Sequence, residues 1–293
     1  MNKDTAHFLA PSGKKVKLKD YSTSYDGELE KEVGKATMEA IKERLSTYQE
    51  TLYASNTHSV LIIFQAMDAA GKDSSIAHVM SGLNPQGCKV VSFKTPTVNE
   101  YEHDFLWRHT LELPKRGIIG IHNRSHYENV LVCKVHPEYV LNERIPGYDD
   151  VKKIDKDFWK ARYESIRNFE KHLTDNGTVI IKFFLYVSEE EQKERFLARI
   201  NDPSKNWKFS SADITERGLW SKYMSAYEEA ITETSTATAP WYIIPADKKW
   251  YARLTISQIL EQTFKDLNLT FPELPKEEMD LLEGYKKKLL AEV

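Results

Sequence analysis

The chain has 293 residues, of which 41% are hydrophobic and 29% charged, and its formal net charge is −3. This is the composition of an ordinary globular protein that can bury a sizeable core, in one large α/β domain or two small ones. A net-negative chain without a recognition motif argues against nucleic-acid binding, and any phosphate site must be a local group of basic residues. The two cysteines, the polar N-terminus and the lack of a long apolar run predict a cytoplasmic protein that does not associate with a membrane.

The predicted elements alternate between strand and helix along most of the chain. Residues 1–27 are polar and contain a basic stretch, so we expect an arm outside the core. Residues 28–270 are predicted to form a single domain, and residues 271–293 a charged helical tail. Predicted helices cover 28–53, 73–83, 100–113, 151–173, 189–200, 220–232 and 250–267. Predicted strands, mostly continuous apolar runs, cover 59–65, 88–93, 117–122, 178–187 and 241–245.

This alternation predicts an α/β fold. Apolar runs of strand length indicate strands that are buried on both faces, as in a parallel sheet. Five strand–helix repeats then give a three-layer α/β/α sandwich around a five-stranded parallel sheet.

The turn at residues 66–74 (AMDAAGKDS) has the composition of a phosphate-binding loop. Small residues let the backbone N–H groups approach phosphate oxygens at a helix N-terminus, and Lys72 adds a mobile positive charge. The match to G-x-x-x-x-G-K-[ST] is imperfect, because Ala66 replaces the first glycine and Asp73 occupies the hydroxyl position. Its place between a buried strand and a helix favours a P-loop nucleotide-kinase-like domain over an ordinary turn. The candidate phosphate-binding residues here are Ala69, Ala70, Gly71, Asp73 and Ser74.

Two carboxylates in this turn predict a metal ion. An anion beside phosphates is costly unless a divalent cation neutralises it, so Asp68 indicates contact with Mg²⁺. The alternative is an aspartate that shapes its own turn. Asp73 is a second candidate ligand in place of the missing hydroxyl, or else the N-cap of the helix.

A second motif, residues 123–128 (NRSHYE), follows the third strand. Because the carboxyl ends of parallel strands meet at one crevice, Arg124 is predicted to face the phosphate-binding turn, where its forked guanidinium suits phosphate oxygens. The alternative is a structural ion pair. A zinc site at His122, His126 and Glu128 is an alternative. The predicted end of the strand lies between the two histidines, however, so they are not expected to share one face of a helix.

The aperiodic segment near residues 199–219 is a candidate lid. A basic, mobile segment that closes over phosphates would exclude water, although interspersed acids are equally typical of a solvated loop. Its candidate phosphate-binding residues are Arg199, Lys205, Lys208 and Arg217. Lys94 and Arg108 are further candidates near the second strand, with structural stacking as the alternative for Arg108. Trp207 and Trp241 are candidates for stacking on a base, with core packing as the alternative.

Taken together, these segments resemble the family-2 polyphosphate kinases in order and spacing. The resemblance covers about residues 50–255 and is specific as a combination. The segments that carry it are FQAMDAAGKD (64–73), GLNPQG (82–87), SFKTPT (92–97), HDFLWRH (103–109), NRSHYENVLV (123–132), DPSKNWKFS (202–210) and APWYIIPADKKW (239–250).

The resemblance implies reversible phosphoryl transfer from inorganic polyphosphate to nucleotides, with Mg²⁺ or Mn²⁺ and a dimeric or tetrameric assembly. Many members carry Asp where this chain has Asn123, so metal binding should depend more on Asp68. Asn123 and Glu128 look like the subgroup that accepts AMP and ADP, with guanine nucleotides as further candidates. The expected catalytic residues are Asp68, Lys72, Arg124, Glu128 and Arg199.

Two other functions fit the same motifs. A nucleoside or nucleotide kinase would use the same fold and loop with ATP as the donor. A binding module that senses nucleotide or polyphosphate without turnover would also need the loop. The combination of Asp68, Lys72, Arg124 and a candidate lid favours an enzyme.

Overall fold

The computed structural model describes residues 3–292, with the side chains of residues 3, 4 and 208 outside the described part. Its centre is a five-stranded, entirely parallel sheet with strand order β2-β3-β1-β4-β5. The strands are β1 (Ser59–Gln65), β2 (Cys88–Ser92), β3 (Ile119–Asn123), β4 (Thr178–Tyr186) and β5 (Trp241–Pro245). The predicted parallel α/β sheet is thereby confirmed.

Helices connect the strands and cover both faces of the sheet. Right-handed crossovers place the connections to the two sides of β1 on opposite faces. The helices are α1 (Lys3–Ala6), α2 (Lys31–Ser55), α3 (Lys72–Val79), α4 (Val98–Tyr101), α5 (Trp107–Thr110), α6 (Val132–Val135), α7 (Lys156–Asp175), α8 (Glu189–Asn201), α9 (Ser211–Arg217), α10 (Trp220–Thr234), α11 (Lys249–Asp266) and α12 (Lys276–Leu290). α2, α3 and α11 pack together on one face, whereas α7 and α10 pack together on the other.

The core lies between the sheet and these helices. β1, β3 and β5 are buried along their whole length, and Leu52 of α2 and Ile166 of α7 are fully buried against opposite faces. Burial on both faces explains why the central strands read as uninterrupted apolar runs rather than as alternating patterns.

The N-terminal segment is part of this core, contrary to the expectation of an arm outside it. The Ala10 N–H donates to the Trp241 carbonyl at 2.8 Å, and the Ile243 N–H donates to the Phe8 carbonyl at 2.8 Å. The segment therefore pairs with β5, which is an edge strand whose backbone groups need partners. Val16 and Leu18 are also buried. Four apolar side chains in a polar stretch gave no periodic pattern from which this packing could be predicted.

Two other segments differ from the predicted elements. The helix expected at 100–113 is two short helices, because the side chain of Asp104 accepts the Leu106 N–H at 2.9 Å and starts a new turn. The aperiodic segment contains α9, which begins at a capping box between Ser210 and Asp213. Among residues 3–292, no helix is both long and apolar enough to cross a membrane.

Candidate active site

The phosphate-binding turn joins β1 to α3 at the carboxyl edge of the sheet. Ala69 and Gly71 have positive φ values of 60° and 103°, a conformation that glycine adopts without steric cost. Gly71 is the N-cap of α3, and no side chain caps the helix there. The first N–H groups of α3 are consequently available to an anion in the crevice, as a phosphate-binding loop requires.

Lys72 folds back onto the turn. Its Nζ donates to the Ala66 carbonyl at 2.7 Å and to the Met67 carbonyl at 3.4 Å. Burial lowers the pKa of Lys72, and the nearby Asp68 carboxylate opposes part of that shift. The ammonium is held at the floor of the crevice, where a phosphate can replace its carbonyl partners.

Asn123 and Arg124 face the turn from the end of β3, which pairs directly with β1. Arg124 has a positive φ of 64°, and its N–H donates to the Phe64 carbonyl at 3.0 Å. Its guanidinium lies 3.3 Å from Asp68, while Asn123 Nδ2 donates to Asp73 Oδ1 at 2.6 Å. The two motifs are therefore in contact, and Asp73 holds Asn123 instead of capping α3.

The donor set here fits a hard divalent cation. Asp68 and Asp73 supply carboxylate oxygens, and Asn123 Oδ1 is buried without a hydrogen-bond partner. Oxygen ligands of this kind suit Mg²⁺, which completes its shell with water and substrate phosphates. Within residues 3–292, no group of three His, Cys, Asp or Glu side chains could hold a metal by itself. His122 and His126 hydrogen-bond elsewhere, at 3.3 Å to the Glu112 carbonyl and 3.4 Å to Glu170.

Glu128 lies behind Arg124 rather than in the main crevice. It lines a small cavity of about 50 Å³ together with Asp68, Arg124, Glu216 and Tyr227. Burial raises the pKa of Glu128, and the positive charges of Arg124 and Lys72 oppose this shift. The Glu128 carboxylate and the Arg124 guanidinium attract each other electrostatically here.

A buried polar network fixes the segment that carries these side chains. Lys182 of β4 is fully buried, and its Nζ donates to Glu170 at 2.6 Å, to the Tyr127 hydroxyl at 2.9 Å and to the Thr234 carbonyl at 2.8 Å. Tyr127 donates to Glu170 at 2.7 Å. Burial opposes ionisation of Glu170, but the Lys182 ammonium lowers its pKa below the ordinary value. Tyr127 thus anchors the backbone between Arg124 and Glu128.

Arg195 of α8 is a site residue that sequence reasoning missed. Its NH1 donates to the Ala69 and Ala70 carbonyls at 3.2 and 2.6 Å, and its NH2 to the Ala246 carbonyl at 2.6 Å. Glu191 accepts from its Nε at 2.8 Å. Arg195 therefore ties the phosphate-binding turn to α8 and to the loop after β5. Ala70 is buried under this contact. The sequence gave one indication of a role for Arg195: it lies four residues before Arg199, on the same face of the predicted helix.

The candidate lid contributes several side chains to the crevice. Arg199 NH1 lies 3.5 Å from Asp213 Oδ2, and both residues line the crevice with Lys205 and Trp207. Trp207 is 74% exposed, whereas Trp241 is a core residue whose indole donates to Thr234 at 2.9 Å. The base-stacking candidate is thereby reduced to Trp207.

Two of the predicted phosphate-binding arginines point into the protein instead. Arg108 is buried and donates to the Lys94 carbonyl at 2.9 Å, so it supports the backbone of a residue that does line the crevice. Arg217 donates to the Glu189 carbonyl at 2.7 Å and to Gln192 Oε1 at 2.8 Å, which fastens α9 to α8. Arg108 and Arg217 donate to backbone or amide oxygens whose positions cannot be predicted from the sequence. The side chain of Lys208 lies outside the described part.

The crevice as a whole has a volume of about 920 Å³ and a positive lining. Seven cationic side chains face three carboxylates, in a chain whose net charge is −3. Ala69, Gly71 and Ser74 add backbone and small polar surface. The cations are Lys72, Lys94, Arg124, Arg195, Arg199, Lys205 and Lys249.

A parallel sheet, a glycine-containing turn at a helix N-terminus and a cationic crevice define a phosphotransferase of the P-loop kinase-like class. Residues 28–272 match the family model described as Polyphosphate kinase 2 (PPK2). The chain belongs to the polyphosphate kinase 2 family, and it is a kinase.

Several known proteins are similar to this chain along most of its length. An "ADP-polyphosphate phosphotransferase" of Rhodopseudomonas palustris is 51% identical, covering 95% of this chain and 96% of the relative. An "AMP/ADP-polyphosphate phosphotransferase" of Meiothermus ruber is 42% identical, covering 87% and 89%. The crystal structure of Polyphosphate Kinase 2 from Arthrobacter aurescens TC1 has a TM-score of 0.85 at 37% identity, covering 95% of this chain and 96% of that one.

Proposed function

We propose that this enzyme transfers phosphoryl groups from inorganic polyphosphate to nucleoside mono- and diphosphates, converting AMP to ADP and ADP to ATP. Its family membership supports polyphosphate as the donor, and no feature among the described side chains of the site favours an ATP-dependent kinase. The observation that carries the proposal is the excess of cationic side chains along one open crevice of about 920 Å³. A linear polyanion needs such a lining along its length.

The residues of the crevice account for the transfer step. A terminal phosphate oxygen of the acceptor attacks the terminal phosphorus of polyphosphate in line, and the shortened chain leaves. Little general-base help is needed, because the attacking oxygen is already ionised at neutral pH. Lys72 and Arg124 stabilise charge on the transferred group from the floor of the crevice, and Arg199 does so from the lid. Since the acceptor attacks directly, no covalent enzyme intermediate forms.

We propose Mg²⁺ as the resident cation, with Mn²⁺ as an alternative of similar chemistry. Asp68, Asp73 and the unpartnered Asn123 Oδ1 would hold it. When bound, the cation supplies charge neutralisation to the phosphates. Asp68 pairs with Arg124 at 3.3 Å, so its carboxylate is positioned at the junction of the two motifs.

The residues around Glu128 bear on which nucleotides accept the phosphoryl group. Glu128 stands behind Arg124 and Asp68 in a small cavity that Tyr223 and Tyr227 also line. We propose that this arrangement orients Arg124 for both AMP and ADP, and that guanine nucleotides are accepted as well.

We also propose a homodimeric or homotetrameric assembly and a reducing compartment such as the cytoplasm, where the free thiols of Cys88 and Cys133 persist.

A substrate panel tests the acceptors and the donor separately. AMP, ADP, GMP and GDP are each incubated with polyphosphate and Mg²⁺, and the products are resolved by chromatography. We expect ADP and ATP from AMP, and ATP from ADP. A failure with AMP alone removes the acceptor proposal and leaves the polyphosphate reaction standing. If ATP phosphorylates a nucleoside while polyphosphate gives no product, the donor proposal is wrong.

A further inference from the structure

The C-terminal helix α12 stands apart from the rest of the molecule. Every residue from 271 to 292 is exposed, which includes the whole of α12 (Lys276–Leu290). Six of its apolar side chains are between 45% and 76% exposed. These are Met279, Leu281, Leu282, Tyr285, Leu289 and Leu290.

The exposed apolar residues form one face of the helix. At 100° per residue, all six fall within about half of the helix circumference, from Leu281 to Leu290. An isolated helix of this length is marginal in water, and helices in proteins are stabilised mainly by packing such a face. The described part of the chain leaves this face of α12 exposed, so a second molecule would have to cover it.

The distribution of charged residues along α12 indicates which molecule would cover its apolar face. Its first half holds four acids, Glu277, Glu278, Asp280 and Glu283, against one lysine, Lys276, and its second half holds three lysines, at residues 286–288. A parallel pair of these helices would bring like charges together. An antiparallel pair brings the acidic half of each helix against the basic half of the other, so the surface is complementary to itself.

We propose that α12 pairs with α12 of a second copy of this chain, antiparallel, around a two-fold axis at Leu282. In this register Leu282 meets its equivalent, and Met279 faces Tyr285 of the other copy. Glu278, which lies 40° from Leu282 around the helix, then faces Lys286 of the other copy. Moving the axis by two residues in either direction would set Leu282 against Lys286 or Glu278. The apolar and charged pairs therefore select the same register. The interface is isologous and closes at a dimer.

Disulfide trapping tests the register in the full-length protein. Leu282→Cys places two thiols across the axis, and Gly284→Cys is the matched control on the polar face, where an added Cβ meets nothing within 4 Å. Burial raises the pKa of Cys88 to about 11 and of Cys133 to about 12, so the native thiols react slowly at pH 8. We expect a covalent dimer on non-reducing gels from Leu282→Cys, and at least about tenfold less from Gly284→Cys. Equal trapping at both positions, or none at Leu282→Cys, overturns the proposal.

Charge reversal tests the antiparallel direction. Sedimentation velocity is measured for Glu277→Lys/Glu278→Lys, for Lys286→Glu/Lys287→Glu and for the fourfold variant that combines them. Each double variant replaces the two symmetry-related Glu278–Lys286 ion pairs with repulsions and reverses the charge of one half of the helix, so we expect at least about a tenfold increase in the dimer dissociation constant. The fourfold variant should return to the wild-type constant. A fourfold variant no tighter than either double variant, or a monomeric wild-type chain that leaves α12 to a different protein, contradicts the proposal.

Discussion

At the scale of single residues, the site depends on a few short contacts between two motifs. The Arg124 guanidinium lies 3.3 Å from Asp68, and the half-buried Glu128 carboxylate, which lines the same small cavity, attracts it electrostatically. Its positive φ of 64° is unusual for arginine, and the backbone bond to Phe64 at 3.0 Å maintains it. Strained positions of this kind are typical of functional sites.

Arg124→Ala should lower kcat by about 10²–10³-fold, the usual effect of removing one preorganised donor to a developing charge. Arg124→Lys should recover only part of the loss, because an ammonium lacks the fork that contacts two oxygens. Initial rates at saturating polyphosphate and ADP measure both. An alanine variant with an unchanged kcat would remove Arg124 from the chemistry and leave only the ion pair with Asp68.

Glu128→Gln should raise thermal stability at neutral pH. The folded state raises the pKa of Glu128, so the ionised carboxylate costs stability above that raised value, and the cost disappears as the pH falls and the group protonates. Melting temperatures of both proteins between pH 4 and 8 should therefore converge toward the acidic end. A wild-type protein that melts higher than Glu128→Gln at pH 8 would contradict this assignment. Activity should fall in the variant, since stability and site function oppose each other here.

At the scale of elements, the sheet was predictable and the contacts around the crevice were not. β1 and β5 match the predicted strands residue for residue, because uninterrupted apolar runs between polar turns have few other structures. Arg108, Arg195 and Arg217 each donate to backbone carbonyls of other segments, and Arg217 also donates to an amide oxygen. The order of side chains in a sequence does not show where a backbone carbonyl will lie in the fold. Arg195 was therefore not predicted as a site residue, and Arg108 and Arg217 were predicted to bind phosphate.

Arg195→Gln should loosen the phosphate-binding turn. The variant leaves the buried carbonyls of Ala70 and Ala246 and the half-buried carbonyl of Ala69 without their charged donor, which should lower the free energy of unfolding by about 3 kcal/mol. Displacement of the turn by about 1 Å should lower kcat by up to about 10²-fold. Denaturant titration and steady-state kinetics measure the two effects. Lys193→Gln, on an exposed part of the same helix, is the control. Equal behaviour of the two variants would show that Arg195 is not a clamp.

At the scale of the whole molecule, one fully buried ion pair links the sheet to both the site and the second helix layer. Lys182 on β4 reaches Glu170 on α7, Tyr127 beside the site and the end of α10. A lysine in the centre of an otherwise apolar strand gave no sign of these partners in the sequence. The N-terminal segment on β5 was missed for the same reason, since its packing depends on an edge that only the folded sheet creates.

Lys182→Met should lower the free energy of unfolding by about 3–5 kcal/mol, because it leaves Glu170 as an unpaired buried charge. The double variant Lys182→Met/Glu170→Gln should recover part of this loss by removing the charge. Lys171→Met breaks only an exposed pair with Asp175 and should change stability by less than about 1 kcal/mol. Chemical denaturation of the four proteins provides the comparison. A single variant no less stable than the control would refute the role of Lys182.

Transfer of phosphoryl groups from polyphosphate to a nucleotide in the cationic crevice can be followed directly by ³¹P NMR. The sample contains the protein with polyphosphate, ADP and Mg²⁺, and no ATP is added. We expect growing ATP resonances and an equal loss of polyphosphate phosphoryl groups, and Lys72→Ala should reduce both by at least about 10²-fold. Loss of polyphosphate to free phosphate without ATP, or no change at all, would contradict it.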